Sequence, residues 1–382
     1  MLGRPRGMVL LLALAAGCDN RTTLVPDGGV SGDSGVRLPD GLGGEAGRSD
    51  AGTLDRGASR DGAASQDGAL PAGFVPQPQN LPAGYLCTIA ADYLAKGGDP
   101  ARPPCEVEAD TLSDADPRVA PSALKVVTWN VEYGKKSDEV LKALRDEVAL
   151  KGAHVIFLQE SPRNDLASVP QKLNLARHLA QNLKLNYVFA VEWDRRLKAT
   201  EGGEHGVAIL SKYPIGNVTQ LRHAPLFDYW KDRQDYGGRI TLGADLAIGG
   251  KRLRAYSAHF CHRDLTGNGR AAQGAEVRAD ATQPGRPALQ LLGGDFNTFT
   301  CNPAIAACNK APAAEKVIED LFAAGWADLL PTFNSWTELG YGVVGQRLDW
   351  LFGKGLTPAA HQVLQSLKAS DHVPLMATVP MP

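Results

Sequence analysis

The sequence predicts an α/β layered domain over residues 121–382, and three observations carry that reading. From Leu124 to Met376 short apolar runs of strand length alternate with segments of helical periodicity, the pattern of sheet covered by helix. The chain has 382 residues, 43% hydrophobic and 21% charged. That is enough to bury a core and excludes a collagen-like, coiled-coil or wholly disordered chain. Several of the apolar runs also end on a polar residue able to handle a metal or a phosphate.

In chain order, residues 1–18 read as a lipoprotein-type signal peptide. Arg4 and Arg6 give a positive start, Met8 to Ala16 an apolar stretch, and Ala15-Ala16-Gly17-Cys18 a small-residue cleavage site. The cysteine after small residues resembles the bacterial lipobox, in which that Cys carries a lipid; the alternative is an ordinary signal peptide cut nearby. Either way the chain is expected to be exported. With the lipid on Cys18 it would be held at the membrane of the bacterial cell envelope.

Residues 19–71 form a Gly/Asp-rich linker. Positions 19–70 contain 12 Gly and 8 Asp and no aromatic residue, too little apolar surface to fold. A flexible coil of that length spans roughly 40 Å. Residues 72–120 read as a small Cys-containing lead-in, with a disulfide expected between Cys87 and Cys105. Among the remaining cysteines, Cys301 with Cys308 leaves Cys261 free, and Cys261 with Cys301 is the alternative.

Charge is unevenly divided. Residues 1–120 hold 10 Lys+Arg against 16 Asp+Glu, and residues 121–382 hold 30 against 26. The mildly basic body tolerates a phosphate-bearing substrate but lacks the strong basic signature of a non-catalytic nucleic-acid binder.

Within the body, Ser137 to Lys151 predicts a helix, with Val140, Leu144 and Val148 at i+4 spacing and Gly152 as a stop. Further helices are predicted over Pro170–Leu183 and Ala313–Ala324. The strand-like runs end informatively: Leu124–Trp129 at Asn130, Ala153–Gln159 at Glu160, Leu253–Ala258 at His259, and Ala288–Gly294 at Asp295 and Asn297. Strand ends on one rim bring distant residues together. Leu348-Asp349-Trp350-Leu351-Phe352 buries an acid in a strand pattern, and Ser370-Asp371-His372 follows a turn. His154, His178, His223 and His361 lack such a context and read as surface or packing residues. His259-Phe260-Cys261-His262 lacks a second ligand pair at finger spacing, which argues against zinc.

Thr128-Trp129-Asn130, Leu158-Gln159-Glu160, Gly206-Val207-Ala208-Ile209-Leu210-Ser211-Lys212, Ser257-Ala258-His259-Phe260, Gly293-Gly294-Asp295-Phe296-Asn297-Thr298, Arg347-Leu348-Asp349-Trp350 and Ser370-Asp371-His372 resemble, in order and spacing, the motifs of the endonuclease/exonuclease/phosphatase superfamily. The resemblance covers about residues 122–380 and implies a four-layer α/β/β/α sandwich with the site at one end. It implies Glu160 as the principal Mg2+ ligand, with Mn2+ a possible substitute, and Asp371 as a further metal-side carboxylate. Asn130 would hold the phosphate or a metal water, and Arg239 lies near the phosphate. Asp295 and Asn297 would orient the attacking water and contact the scissile phosphate. His372, held by Asp349, would be the general base or the phosphate-binding imidazole, and His259 is expected to pair with Glu204, although the neighbouring His205 is unusual.

The implied activity is Mg2+-dependent phosphodiester hydrolysis by an activated water, with nucleic acid as the first substrate and no protein partner. A sphingomyelinase-like lipid phosphodiesterase and a catalytically inactive tethered binding module are the alternatives. The inositol-phosphatase branch is disfavoured because Thr298-Phe299-Thr300-Cys301 replaces its pattern, and the abasic-site repair branch by export. Phe227, Tyr229, Trp230 and Tyr236, interleaved with Lys231 and Arg233, read either as a base-stacking rim or as an ordinary packed connection. Arg163 and Trp336 invite the same pair of readings, substrate contact or none.

Overall fold

The structure, a computed structural model, describes residues 70–76, 107–163, 174–194, 203–223, 236–262, 268–301, 315–331 and 346–382. The signal sequence, nearly all of the linker, Cys87, Cys105, Cys308, Phe227, Tyr229, Trp230 and Trp336 lie outside the described residues. Among those described, no helix is long and apolar enough to cross a membrane.

Two sheets carry the body. The first contains β1 (Val107–Asp110), β2 (Ala123–Asn130), β3 (Val155–Arg163), β4 (Asn186–Asp194), β5 (Glu204–Ser211), β13 (Ala360–Val363) and β14 (Leu375–Pro380), in the order β1-β4-β5-β3-β2-β14-β13, with β7 (Tyr236–Gly237) pairing β4. The second runs β11-β12-β10-β9-β8-β6, from β6 (Ile215–Arg222), β8 (Ile240–Ile248), β9 (Lys251–His259), β10 (Gln290–Cys301), β11 (Trp326–Asp328) and β12 (Gln346–Lys354). Each sheet has one parallel pair at its centre, β2 with β3 and β9 with β10.

Alternation along the strands explains the layering. Leu124, Val126, Val155 and Phe157 of the first sheet pack with Leu253, Ala255, Leu291 and Leu351 of the second in one inter-sheet core. Their sequence neighbours point the other way and need a second cover. Val127, Trp129, Ile156 and Leu158 pack under α1 (Ser137–Asp146) and α2 (Leu175–Leu183). Tyr256, Leu292, Trp350 and Phe352 pack under α3 (Asn268–Ala281) and α4 (Lys316–Ala323). The result is the expected four-layer α/β/β/α sandwich.

Helix boundaries differ from the periodicity in instructive ways. α1 stops at Asp146 because Glu147 turns to extended backbone, with ψ at 125°, so Val148 lies 84% exposed rather than on the apolar stripe. α2 begins at Leu175 because the Asn174 side chain accepts the Arg177 N–H at 3.1 Å, an N-cap. α3 is absent from the sequence expectation: its buried face consists of Arg270, Ala271, Gln273, Gly274, Val277, Asp280 and Ala281, small and polar side chains without an apolar period.

Candidate active site

The inter-sheet core turns polar at one end. Continuing by twos from the apolar residues of the first sheet leads to Thr128 and Asn130 on β2, to Gln159 on β3 and to Glu192 on β4. On the second sheet it leads to Ser257 and His259 on β9, Asp295 on β10 and Asp349 on β12. Register aligns these ends: Asp295 lies opposite both His259 and Asp349. The close β9–β10 approach depends on Gly294, since a Cβ there would lie 2.0 Å from the Ala258 carbonyl oxygen.

Local irregularities aim the remaining groups. Pairing of β3 with β5 shifts between Leu158 and Ser161, and pairing of β10 with β12 shifts between Asp295 and Thr300. Glu160 (φ 53°) and Asn297 (φ 51°) sit in those shifts in left-handed backbone. Bulges of this kind re-aim side chains near active sites, and left-handed backbone in a non-glycine residue costs about 1–3 kcal/mol. The strands therefore run on past Glu160 and Asn297 rather than ending there.

Asp295 is the hub. Its Oδ2 accepts the Asn130 Nδ2–H at 3.1 Å, and its Oδ1 accepts the Asn297 backbone N–H at 2.9 Å. The Nε2 atoms of His259 and His372 lie 3.4 and 3.9 Å from Oδ2. Burial alone would raise the carboxyl, but the two imidazoles and these hydrogen bonds hold it below the usual carboxylate range. Asn297 turns its Nδ2 onto the Phe260 carbonyl at 3.0 Å.

His372 Nδ1 lies 2.7 Å from Asp349 Oδ2. Burial pulls this imidazole down, yet Asp349 and Asp295 outweigh it and leave it well above the ordinary histidine value. Its carbonyl accepts the Trp129 indole N–H at 3.0 Å, and its N–H reaches Ser370 Oγ at 3.2 Å. The Asp349–His372 pair stands as the sequence reading has it.

The His259 partner requires a correction. Glu192, not Glu204, faces it: Nδ1 lies 2.9 Å from Glu192 Oε2. Glu204 is instead buried against Arg163, whose Nε donates to Oε2 at 2.7 Å. Arg163, read as solvated or touching substrate, also reaches Glu108 at 3.1 Å and lies over the Phe189 ring. It pins the β1 edge to the sheet. His205 is 3% exposed and packs edge-on against Tyr133, ring centres 4.9 Å apart. For His259, burial and Arg239 lower the pKa, and Glu192 and Asp295 more than offset them, raising it to about 9.

Arg239 is buried at the same place. Its Nη1 donates to Glu192 Oε1 at 2.7 Å and lies 2.7 Å from His259 Nε2, while Nη2 donates to His262 Nδ1 at 2.5 Å. Glu192 is held below the usual range, burial being outweighed by His259 and Arg239.

Where the family resemblance expects the metal, Glu160 Oε1 stands 4.0 Å from His259 Nε2, and burial pushes its carboxyl up. Asp371 accepts from Ser370 Oγ at 3.2 Å through Oδ1. Sequence reasoning missed Glu132 and Lys135. Glu132 Oε2 accepts the Asp371 backbone N–H at 3.1 Å, and Oε1 pairs with Lys135 Nζ at 2.5 Å. The Lys135 ammonium is raised by Glu132 first, and also by Asp371 and Glu160. These acids therefore share one neighbourhood. Asp295, Asp349 and His372 form a second group whose ligand atoms all lie within 4.8 Å of one another.

The remaining residues fall as follows. His223 is buried between Glu276 and Thr241, and His154 Nδ1 accepts the Lys125 N–H, both as packing residues. Cys261 is disulfide-bonded, which rules out the pairing that leaves it free.

Comparison with known proteins identifies the family and agrees with the fold. The family model described as Endonuclease/Exonuclease/phosphatase family matches residues 127–372. An endonuclease/exonuclease/phosphatase structure from Beutenbergia cavernae is 16% identical, with a TM-score of 0.51, covering 68% of this chain and 72% of that one. The human nocturnin catalytic domain with bound sulfate anion is 15% identical, with a TM-score of 0.50, covering 74% and 100%. A Bacteroides vulgatus endonuclease/exonuclease/phosphatase is 15% identical, with a TM-score of 0.50, covering 69% and 100%. No curated protein matches. Sequence match and fold together place the chain in the endonuclease/exonuclease/phosphatase family of metal-dependent phosphoester hydrolases.

Proposed function

We propose that the protein is an exported, Mg2+-dependent phosphodiesterase that cleaves nucleic acid, held at the cell envelope through a lipid on Cys18. The observation that carries the catalytic part is Asp295, a buried carboxylate at the polar end of the inter-sheet core within 4 Å of two imidazoles and hydrogen-bonded to Asn130. Asn130, Glu160, His259, Asp295, Asn297, Asp349 and His372 meet there, and Asp371 flanks them beside His372. A binding module that had lost catalysis would have no reason to keep this arrangement.

The donor chemistry fits a hard cation. Glu160 and Asp371 offer carboxylate oxygens, and Asn130 an amide, of the kind that Mg2+ and Mn2+ prefer. Bound there, the ion would supply positive charge to the phosphoryl oxygens. The chain's own groups do the rest. Asp295 accepts a hydrogen bond from the attacking water and orients it in line with the scissile bond. His372 is the phosphate-binding imidazole of the two roles considered, since Asp349 holds it protonated and a cation there neutralises a phosphoryl oxygen. His259, with Glu192 and Arg239 behind it, turns its Nε2 toward Asp295 at 3.4 Å. Positioned acids and bases of this kind typically contribute about 10² to 10⁴ in rate.

A nucleic-acid substrate is accommodated by the mildly basic body, 30 Lys+Arg against 26 Asp+Glu in residues 121–382. The test is hydrolysis of plasmid DNA, RNA and sphingomyelin by the full chain, with Mg2+ and with EDTA. Nicking of DNA that EDTA abolishes is expected; turnover of sphingomyelin alone would move the enzyme to the lipid reading.

A further inference from the structure

The segment that carries Asp371 and His372 is tied to the turn after Asn130, and that turn is strained. Glu132 (φ 46°), Tyr133 (φ 53°) and Gly134 (φ 66°) stand in left-handed backbone one after another, a conformation that non-glycine residues keep only where their surroundings over-determine it. The surroundings do so here. The Glu132 N–H donates to Asn130 Oδ1 at 3.1 Å, the Gly134 N–H to the Val131 carbonyl at 2.8 Å, and Ser137 Oγ to the Gly134 carbonyl at 2.7 Å. A Cβ at Gly134 would lie 2.6 Å from Pro162 Cγ, so the turn packs directly on β3 just beyond Glu160.

The strained turn aims one carboxylate. Glu132 Oε2 accepts the Asp371 N–H at 3.1 Å, while Lys135 Nζ holds Oε1 at 2.5 Å. A carboxylate on a backbone N–H is a charge-assisted bond, and this one fixes the peptide that enters Asp371, one residue before His372. Ser370 Oγ, on the other side of that peptide, donates to the Asn130 carbonyl at 2.7 Å. The bonds close a circuit around the site. Asn130 Nδ2 donates to Asp295 Oδ2, Asn130 Oδ1 accepts the Glu132 N–H, and Glu132 Oε2 accepts the Asp371 N–H. From the next residue, His372 Nε2 returns to within 3.9 Å of Asp295 Oδ2. Glu132 is thus a side-chain link between the two halves of the site, Asp295 with Asn130 and Asp371 with His372.

We propose that Glu132 is a positioning residue of this site: by accepting the Asp371 N–H it sets where the Asp371 carboxylate and the His372 ring stand relative to Asp295. The proposal rests on the phosphoester reading above and extends it to a residue outside the motif set. The reach of the Glu132 oxygen does this, and its charge is secondary. Gln at 132 keeps an oxygen at the same reach, with the exposed Lys135 able to move aside; Asp keeps the charge, tolerates left-handed backbone, and is one methylene too short.

Two measurements on the full chain test it. Hydrogen exchange of the Asp371 amide, followed by NMR in EDTA, is expected to be about tenfold slower in wild type and Glu132→Gln than in Glu132→Asp; equal exchange in all three overturns the proposal. Steady-state kinetics on bis-p-nitrophenyl phosphate with Mg2+ are expected to show Glu132→Asp lowering kcat about tenfold with KM changed less than twofold, as misplacement of reacting groups does. Glu132→Gln is expected to stay within about threefold of wild type in both constants. The reverse order, with Asp active and Gln impaired, would make charge the working feature and overturn the proposal, as would full kcat in Glu132→Asp. Should Glu132→Asp fail to fold, Glu132→Gln decides: retained amide protection supports the assignment and lost protection overturns it. If the wild-type chain turns over no phosphodiester, the phosphodiesterase reading fails, and the exchange measurement still decides Glu132.

Discussion

His259 and Glu192 form a buried pair, Nδ1 to Oε2 at 2.9 Å, across 67 residues of sequence and between the two sheets. The carboxylate fixes which ring nitrogen faces Asp295. It also balances Arg239, whose Nη1 reaches the other Glu192 oxygen at 2.7 Å.

A swap of two glutamates separates the site from its scaffold. Glu192→Gln is expected to lower kcat by about 10² with the fold intact, because the imidazole loses its orienting charge. Glu204→Ala is expected to destabilise the chain by about 3 kcal/mol through the Arg163 it leaves behind, the usual result of breaking a buried ion pair. Urea unfolding and kcat on both variants check the pair. Equal loss of turnover in both would contradict the reassignment.

The same pair sets a pH window for stability in EDTA. The His259 pKa is raised to about 9, so its contribution is complete below the unfolded value of 6.5 and is lost as pH rises through 9. Glu192 is depressed, so its contribution is present above 4.5 and fades as pH falls below that. Wild type is therefore expected to exceed His259→Gln in stability by a margin that is flat from about pH 5 to 6.5 and shrinks toward pH 10. Urea midpoints across that range measure it.

Much of this site is readable in sequence because strand alternation is a strict rule. Asn130, His259, Asp295 and Asp349 continue the inward parity of Leu124, Leu253, Leu291 and Leu351, and a polar residue at an inward strand end stands out. Glu192 carried the same signal, an acid following Val188 and Ala190 by twos, but it competed with Glu204, which lies closer to the Gly206 strand. Which acid reaches His259 is decided by sheet order and a shift in β4–β5 pairing between Val191 and Trp193, and neither shows in a single strand. α3 was hidden for a different reason: its buried face mixes Arg270, Gln273 and Asp280 with Ala271, Gly274, Val277 and Ala281, so no strong apolar stripe shows.

Metal binding should register in stability as well as activity. Mg2+ at 100 times its dissociation constant is expected to stabilise the wild-type chain by about 2.7 kcal/mol. Glu160→Gln and Asp371→Asn should lose most of that increment, since each removes a carboxylate from the same neighbourhood. Thermal midpoints with Mg2+ and with EDTA report it, and a full Mg2+ shift in Glu160→Gln would remove Glu160 from the metal site.

Gly294→Ala tests how the strands set the spacing of the site. The added Cβ meets the Ala258 carbonyl oxygen at 2.0 Å, and neither backbone can yield without moving Asp295 from His259. A loss of about 3 kcal/mol, at the upper end of overpacking costs, is expected together with loss of turnover. Chemical denaturation and kcat check both.

The most direct measurement is Mg2+-dependent hydrolysis of bis-p-nitrophenyl phosphate by the wild-type chain and by Asp295→Asn, which keeps the size of the side chain and removes its charge. The account expects wild-type turnover that EDTA abolishes, and a drop of about 10² or more in kcat for the variant with the fold intact. Wild-type-like turnover by Asp295→Asn would mean that the carboxylate between His259 and His372 is not where the water is activated.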